Sequence, residues 1–192
     1  YLLGSLSFAI IITRLFAHRD IRDSGSGNAG MTNVLRTVGP FPAALTLLGD
    51  ILKSVAAIYF SRGLFSFVPV SYAARLGMFL GSIFVLLGHI FPIFFGFRGG
   101  KGVASSLGIA WMTFPLGAAI TTAAAVITFL FSRKISLCSL IGTAVFFVSV
   151  LIFRFSDLAL VLLAAMIVLL VYVRHKENIC RLIHGDEKRI VN

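Results

Sequence analysis

The stretch VASSLGIAWMTFPLGAAITTAAAVITFLF, residues 103–131, runs 29 residues without a charge and carries a proline at position 115. A helix crossing the hydrocarbon of a bilayer needs about 20 apolar residues, so 29 is long for one crossing. Pro115 lacks a backbone N–H, and its ring clashes with the preceding turn, so a helix breaks there. The break leaves segments of 12 and 17 residues. Whether these make one crossing or two decides on which side of the membrane everything downstream lies.

Apolar runs of the same kind recur outward from this stretch, at 1–16, 41–60, 72–97, 103–114, 115–131, 135–153 and 158–173. The chain is 58% hydrophobic and 12% charged, against roughly 45–50% and 25% in ordinary soluble domains. Such a chain suits a lipid solvent, as one compact helical domain over 1–192 with no linker. Charge chooses between the topologies. With two crossings, Arg14, Arg19, Arg22, Arg36, Arg98, Lys101, Arg133, Lys134, Arg174, Lys176, Arg181, Lys188 and Arg189 share one side. That is 13 basic residues, against Arg62, Arg75 and Arg154 opposite, with Lys53 inside the membrane. With one crossing the split is 7 against 9. Basic loops stay on the cytoplasmic side. The expected fold is therefore all-α, a polytopic transmembrane bundle of seven crossings, N-terminus outside and C-terminus cytoplasmic.

The net charge of +10 would suggest nucleic acid in a soluble protein. Here the basic residues sit in short gaps between apolar runs, where they set topology and meet anionic headgroups or substrates, so no nucleic-acid partner is expected. Cys138 and Cys180 share no motif spacing, and neither a disulfide framework nor a metal site is implied. The chain opens at Tyr1, without Met and already apolar, so residues are expected to be missing from this end. A signal peptide is not expected, because no small-residue cleavage site precedes a polar mature segment.

In the seven-crossing topology, the three chemically richest segments fall on the cytoplasmic face. The first reads Gly25-Ser26-Gly27-Asn28-Ala29-Gly30-Met31-Thr32-Asn33-Val34-Leu35-Arg36. It contains G-x-G-x-x-G, but a dinucleotide fold needs that pattern between a strand and a helix, and here it follows an apolar helix. Glycines let consecutive N–H groups converge on an anion. Ser26, Asn28 and Thr32 add hydrogen-bonding groups, and Arg36 can hold a phosphate bidentately. The plainer reading is a flexible Gly-rich loop. The second segment places His89 and Pro92 before Phe97-Arg98-Gly99-Gly100-Lys101-Gly102-Val103-Ala104. It lacks the Walker A spacing, yet it sets a lysine among glycines at a helix start. The plainer readings are a positive-inside stop and, for His89, a packed, hydrogen-bonded histidine. The third is Arg174-His175-Lys176-Glu177-Asn178-Ile179-Cys180-Arg181-Leu182-Ile183-His184-Gly185-Asp186-Glu187. On one helix, Arg174, Asn178 and Arg181 would share a face. A solvated basic tail is the plainer alternative.

Together these segments closely resemble one family, the bacterial membrane acyltransferases that use acyl phosphate to acylate glycerol 3-phosphate. That family carries G-S-G-N-x-G-A-T-N-x-x-R, then H-x-x-P…F-x-G-G-K-G-V-A, then R-H-x-E-N-I-x-R-L-x-x-G-x-E, matched in order at 25–36, 89–104 and 174–187. Asp50 and Lys53 match its D-x-x-K, and Ser136 and Ser139 its S-L-x-S. Met31 stands where Ala is usual and Ser54 where Gly is usual, and the first helix starts short of the family's.

The resemblance implies transfer of a fatty acyl group from acyl phosphate to the 1-hydroxyl of sn-glycerol 3-phosphate, giving lysophosphatidic acid and phosphate, the first step of phospholipid synthesis. It implies Ser26, Arg36, Lys101 and His175 as catalytic residues. It implies Gly25, Gly27, Asn28, Thr32, Ser139 and Asn178 as further substrate contacts. No metal, no cofactor and no obligatory protein partner are expected; membrane lipid surrounds the chain. The expected location is the bacterial cytoplasmic (inner) membrane, with the active site on the cytoplasmic face. Asp50 and Lys53 can pair with each other inside their helix. A transporter or flippase for a phosphorylated metabolite is the rival reading. It calls for an internal repeat and midplane polar groups, and none is visible beyond Asp50 and Lys53. His18-x-x-x-x-Asp23 matches the pattern of a different acyltransferase class, at a position the resembled family does not use.

Overall fold

The computed structural model describes residues 1–190 and is helical throughout, with no strand among them. Helices occupy Phe8–Ala17 (α1), Met31–Thr37 (α2), Pro40–Ser66 (α3), Ala73–Ile90 (α4), Val103–Thr113 (α5), Pro115–Ser132 (α6), Ile135–Phe153 (α7), Leu158–Arg174 (α8) and Lys176–His184 (α9). The chain divides into two compact units, Tyr1–Met112 and the residues from Thr113 onward.

In the first unit α3 and α4 form the longest packed pair. Gly77 and Gly81, one turn apart on α4, let the two backbones close up. A Cβ on Gly77 would sit 2.6 Å from the Ser61 carbonyl oxygen, and one on Gly81 would sit 2.9 Å from the Ser61 Cβ. Ser61 Oγ then donates to the Gly77 carbonyl at 2.7 Å. In lipid, where apolar area drives no helix association, such close approach and interhelical bonding supply the attraction.

The first apolar segment, expected to be helical over 1–16, is helical only from Phe8. Before it the chain turns: Ser5 N–H donates to the Tyr1 carbonyl at 2.9 Å and Leu6 N–H to Leu3 at 3.2 Å. Lys53 Nζ donates to the Leu6 carbonyl at 2.7 Å, between this turn and α1. Irregular backbone at membrane depth is tolerated where protein covers it in this way.

The break at Pro115 is present: α5 ends at Thr113, Phe114 is extended (φ −150°, ψ 82°), and Pro115 is the first residue of α6. In the second unit α7 packs on α6 and on α8. Arg133, in the left-handed conformation, closes α6. Asp157 caps α8 by accepting from Leu160 N–H at 3.1 Å. Tyr172 on α8 donates to the Leu140 carbonyl on α7 at 3.1 Å.

The shared face of Arg174, Asn178 and Arg181 requires one continuous helix, but the axis bends 65° between α8 and α9. His175 sits at the bend (φ −103°, ψ 9°). Arg174 thus lies on a different helix from Asn178 and Arg181. Among the described residues four helices are long and apolar enough to cross a membrane, or five if α8 and α9 count as one bent span. The helices α1 and α5, at 10 and 11 residues, are each about half a bilayer in length at 1.5 Å per residue.

Candidate active site

The Gly-rich first segment is ordered by an apolar floor. Ile21, Ala29 and Val34 are buried against Ala9 and Ile10 of α1 and Ala43 of α3, with Met31, Leu35, Val38 and Phe95 at the edge. Full burial of one such side chain as Ile21 contributes about 1.5–3 kcal/mol. Met31, at the position where the resembled family usually has Ala, packs at the edge of this cluster and presents no polar group to it.

Above that floor one buried amide organises the loop. Asn33, 1% exposed, shares the two N–H donors of Nδ2 among the carbonyls of Ile21, Ser24 and Asn28, at 3.1, 2.9 and 3.1 Å, and its Oδ1 accepts from Ser26 N–H at 3.0 Å. Gly25 can hold its left-handed turn (φ 60°) only because it lacks a Cβ, which would overlap the Asn33 amide oxygen. The segment read from sequence as a loop through Arg36 is helical from Met31, so Thr32 and Arg36 stand one turn apart on α2. Ser26 and Arg36 are exposed, and Asn28 and Thr32 half-buried.

Asp20 pins the start of the loop. Its carboxylate accepts from Arg22 Nε at 3.0 Å, from Arg22 Nη2 at 2.9 Å and from Arg14 Nη2 at 3.1 Å. The hydrogen-bonded Arg22 guanidinium holds the Asp20 carboxyl down at about 2. Arg22 also donates through Nη1 to the Phe95 carbonyl at 2.6 Å, which ties the first loop to the second. The His18–Asp23 pattern forms no pair: both side chains are exposed, and no hydrogen bond or ion pair joins them.

The second loop is built off the end of α4. Gly99 N–H donates to the Ile90 carbonyl at 3.2 Å and Gly100 N–H to His89 at 3.1 Å. Gly100 lies between two groups. A Cβ there would overlap His89 Nε2, and it would sit 2.7 Å from the Ala29 carbonyl oxygen. Ala29 belongs to the first loop, so the two Gly-rich loops meet at this point. Lys101 follows directly, half-buried, two residues before α5 begins. Asp50 and Lys53 form a buried ion pair, Nζ to Oδ1 2.7 Å, and His89 Nδ1 lies 3.0 Å from the same Nζ.

The second unit holds Ser139, His175 and Asn178, all buried. Ser139 Oγ donates to the Ile135 carbonyl at 2.9 Å. His175 Nδ1 lies 2.8 Å from the Val171 carbonyl. A carbonyl can only accept, so Nδ1 carries a proton and donates it there. Glu187, after α9, folds back: its oxygens accept from Asn178 Nδ2 at 2.7 Å and from Arg181 Nε at 2.8 Å. Burial pushes the Glu187 carboxyl up, but donors from Ser136, Arg181 and Asn178 outweigh it and hold the group below the usual carboxylate range. Sequence reasoning placed Asn33 and Glu187 inside motifs without giving them a role; it read His89 as a packed, hydrogen-bonded histidine, which it is, without naming its partners. Their roles depend on backbone partners and on residues distant in sequence.

The Asp20 cluster predicts a pH dependence. Its folded pKa of about 2 lies below the unfolded value of about 3.9, so its contribution is complete above that value and fades as pH falls toward 2. Wild-type protein in detergent should melt a few degrees above Asp20→Asn at pH 6, and the gap should narrow to about half by pH 3. A gap that persists unchanged at pH 3 would show that the ion cluster is not the source.

A family model described as glycerol-3-phosphate acyltransferase matches residues 1–185. The chain is 42% identical over 99% of its length to a glycerol-3-phosphate acyltransferase of Hydrogenovibrio crunogenus, of which it covers 88%. It is 43% identical over 99% to one of Thiobacillus denitrificans, covering 93%, and 35% identical over 100% to glycerol-3-phosphate acyltransferase 2 of Bacillus anthracis, covering 95%. Its structure is similar to crystal structures of PlsY, an integral membrane glycerol 3-phosphate acyltransferase. The glycerol 3-phosphate form gives a TM-score of 0.85 at 36% identity over 98% of this chain and 90% of that one. The lysophosphatidic acid form gives 0.82 at 35% identity with the same coverage. With agreement over essentially its whole length in sequence and in fold, the chain belongs to the glycerol-3-phosphate acyltransferase family and is an integral membrane enzyme of that family.

Proposed function

We propose that residues 1–192 act as one domain that transfers a fatty acyl group from acyl phosphate to the 1-hydroxyl of sn-glycerol 3-phosphate. Lysophosphatidic acid and phosphate are the products. The observation that carries this reading is the meeting of two Gly-rich, cation-bearing loops where Gly100 lies against the Ala29 carbonyl. That contact brings together the segments that carry Arg36 and Lys101. Both substrates contain phosphate, and two unit charges 4 Å apart repel by about 4 kcal/mol at an effective dielectric of 20. Paired cations and convergent backbone N–H groups offset that repulsion and hold the reactants in line.

Ser26, Asn28, Thr32 and Arg36, with the backbone of Gly25 and Gly27, bind phosphate alongside Lys101; Ser139, His175 and Asn178 are further substrate contacts. The 1-hydroxyl oxygen attacks the acyl carbon and the bond from that carbon to the phosphate oxygen breaks. Phosphate leaves with the bonding pair. The hydroxyl proton passes to a phosphate oxygen, since an acyl phosphate is a mixed anhydride whose own leaving group can accept it. The acyl chain lies in the bilayer throughout.

Arg36→Ala and Lys101→Ala each remove a charge-assisted contact of about 1.5–3 kcal/mol. Each should lower turnover at least about tenfold, measured as phosphate released by purified protein in detergent. Wild-type turnover in both variants would remove these residues from the site, and release that requires sealed vesicles would favour a transporter.

The 13-to-3 distribution of basic residues supports seven crossings of the bacterial inner membrane, with the N-terminus outside and the loops of 25–36, 99–102 and 174–187 at the cytoplasmic face. In a Cys138→Ala, Cys180→Ala background, Arg62→Cys and Arg154→Cys should be labelled by an impermeant thiol reagent in intact cells. Arg133→Cys and Lys176→Cys should be protected. External labelling at position 133 would refute the arrangement.

A further inference from the structure

Buried ionisable side chains with no part in this mechanism are gathered in one place. Asp50, Lys53 and His89 are 2%, 5% and 5% exposed. Lys53 Nζ reaches Asp50 Oδ1 at 2.7 Å, the Leu6 carbonyl at 2.7 Å and His89 Nδ1 at 3.0 Å. The same ring nitrogen lies 3.5 Å from Asp50 Oδ1, so the ion pair meets the His89 ring through one atom. The opposite edge of the ring, Nε2, is the edge against Gly100, where a Cβ would overlap it. The His89 carbonyl meanwhile accepts from Gly100 N–H at 3.1 Å, and the Ile90 carbonyl from Gly99 N–H at 3.2 Å. One residue therefore holds the loop from two directions, through its ring and through its backbone, and Lys101 is the next residue along.

An ion pair that served only to neutralise itself would be complete on α3, where Asp50 and Lys53 are three residues apart. Buried pairs are also poor sources of net stability, since apolar side chains fill the same volume at lower desolvation cost. What the pair does accomplish is to fix a ring on another helix, 36 residues away, which in turn abuts the loop.

We propose that Asp50, Lys53 and His89 form a positioning device for the phosphate-binding loop. The buried ion pair locks the His89 ring, and the ring sets the path of Gly99 and Gly100 and so the placement of Lys101. His89 is a positioning residue; neither it nor the pair touches substrate. The proposal rests on the reading of Lys101 as a phosphate contact.

The test separates this role from core filling. His89→Asn retains a polar atom near the Nδ1 position, and so the Lys53 contact, but it lacks the far edge that meets Gly100. His89→Ala lacks both. With purified protein in detergent, kcat/KM for both substrates and the thermal midpoint are measured for wild type, both His89 variants, Lys101→Ala, and the double variant His89→Asn with Lys101→Ala. His89→Asn should melt close to wild type yet lose about tenfold in kcat/KM for at least one substrate. In the Lys101→Ala background the same change should cost less than about threefold, because residues acting through one another are non-additive. Wild-type kcat/KM in His89→Asn overturns the proposal, as does an equal tenfold loss in both backgrounds. A lowered midpoint in both His89 variants, with activity falling only in proportion to unfolded protein, assigns the residue to the core instead. Wild-type activity in Lys101→Ala alone would remove the phosphate reading, and with it this role for His89. The other outcomes leave that reading intact.

Discussion

An ammonium group buried inside a membrane helix must find partners for its donors, and much of the first unit is arranged around that need. Placing a lysine at the centre of a transmembrane helix costs about 2.5–3.5 kcal/mol even on insertion scales that allow it to relax. Lys53 meets the cost with a carboxylate on its own helix, a ring nitrogen on α4 and a backbone carbonyl at Leu6. The carbonyl ties Lys53 to the chain just ahead of α1. The ring nitrogen connects a charge deep in the helix pair to a loop at its end.

From there the site is an exercise in holding backbone still. The first loop has an apolar floor under Ile21, Ala29 and Val34 and one amide, Asn33, joining four points of its main chain. Arg22, tied to Asp20, bonds the Phe95 carbonyl and fastens that loop to its neighbour. Phosphate recognition by N–H groups and cations depends on donors standing in place before the ligand arrives. A glycine-rich segment without such internal bonding would spend much of its binding energy on ordering itself. In the second unit Glu187 does comparable work, holding Asn178 and Arg181 on one carboxylate.

How much of this was readable beforehand depended on the range of the interaction. The helix break was legible at Pro115, because a missing N–H acts within one turn. The Asp50–Lys53 pair was legible because both residues lie on one helix at a spacing of three. Long apolar runs marked most of the helices, although Phe8 rather than Tyr1 begins the first. The partners of His89 were not legible, since Lys53 and Gly100 reach it from other elements. Nor was the bend at His175, which contains neither proline nor glycine and lies between two helical runs. Met31–Thr37 looked like loop because its glycines precede it; the helix starts at Met31, and Val34 one turn in joins the apolar floor. For the site residues themselves, motif resemblance named Arg36 and Lys101, whereas Asn33, which organises the loop they depend on, carried no chemical signature of its own.

The central claim is direct transfer: acyl phosphate gives up its acyl group to glycerol 3-phosphate without first acylating the protein. The most direct measurement incubates the purified enzyme with acyl phosphate labelled in the acyl chain and no glycerol 3-phosphate, then denatures the chain and counts the label it retains. Direct transfer predicts none, with label appearing in lysophosphatidic acid as soon as glycerol 3-phosphate is added. A stoichiometric acyl-protein adduct that glycerol 3-phosphate discharges would contradict it.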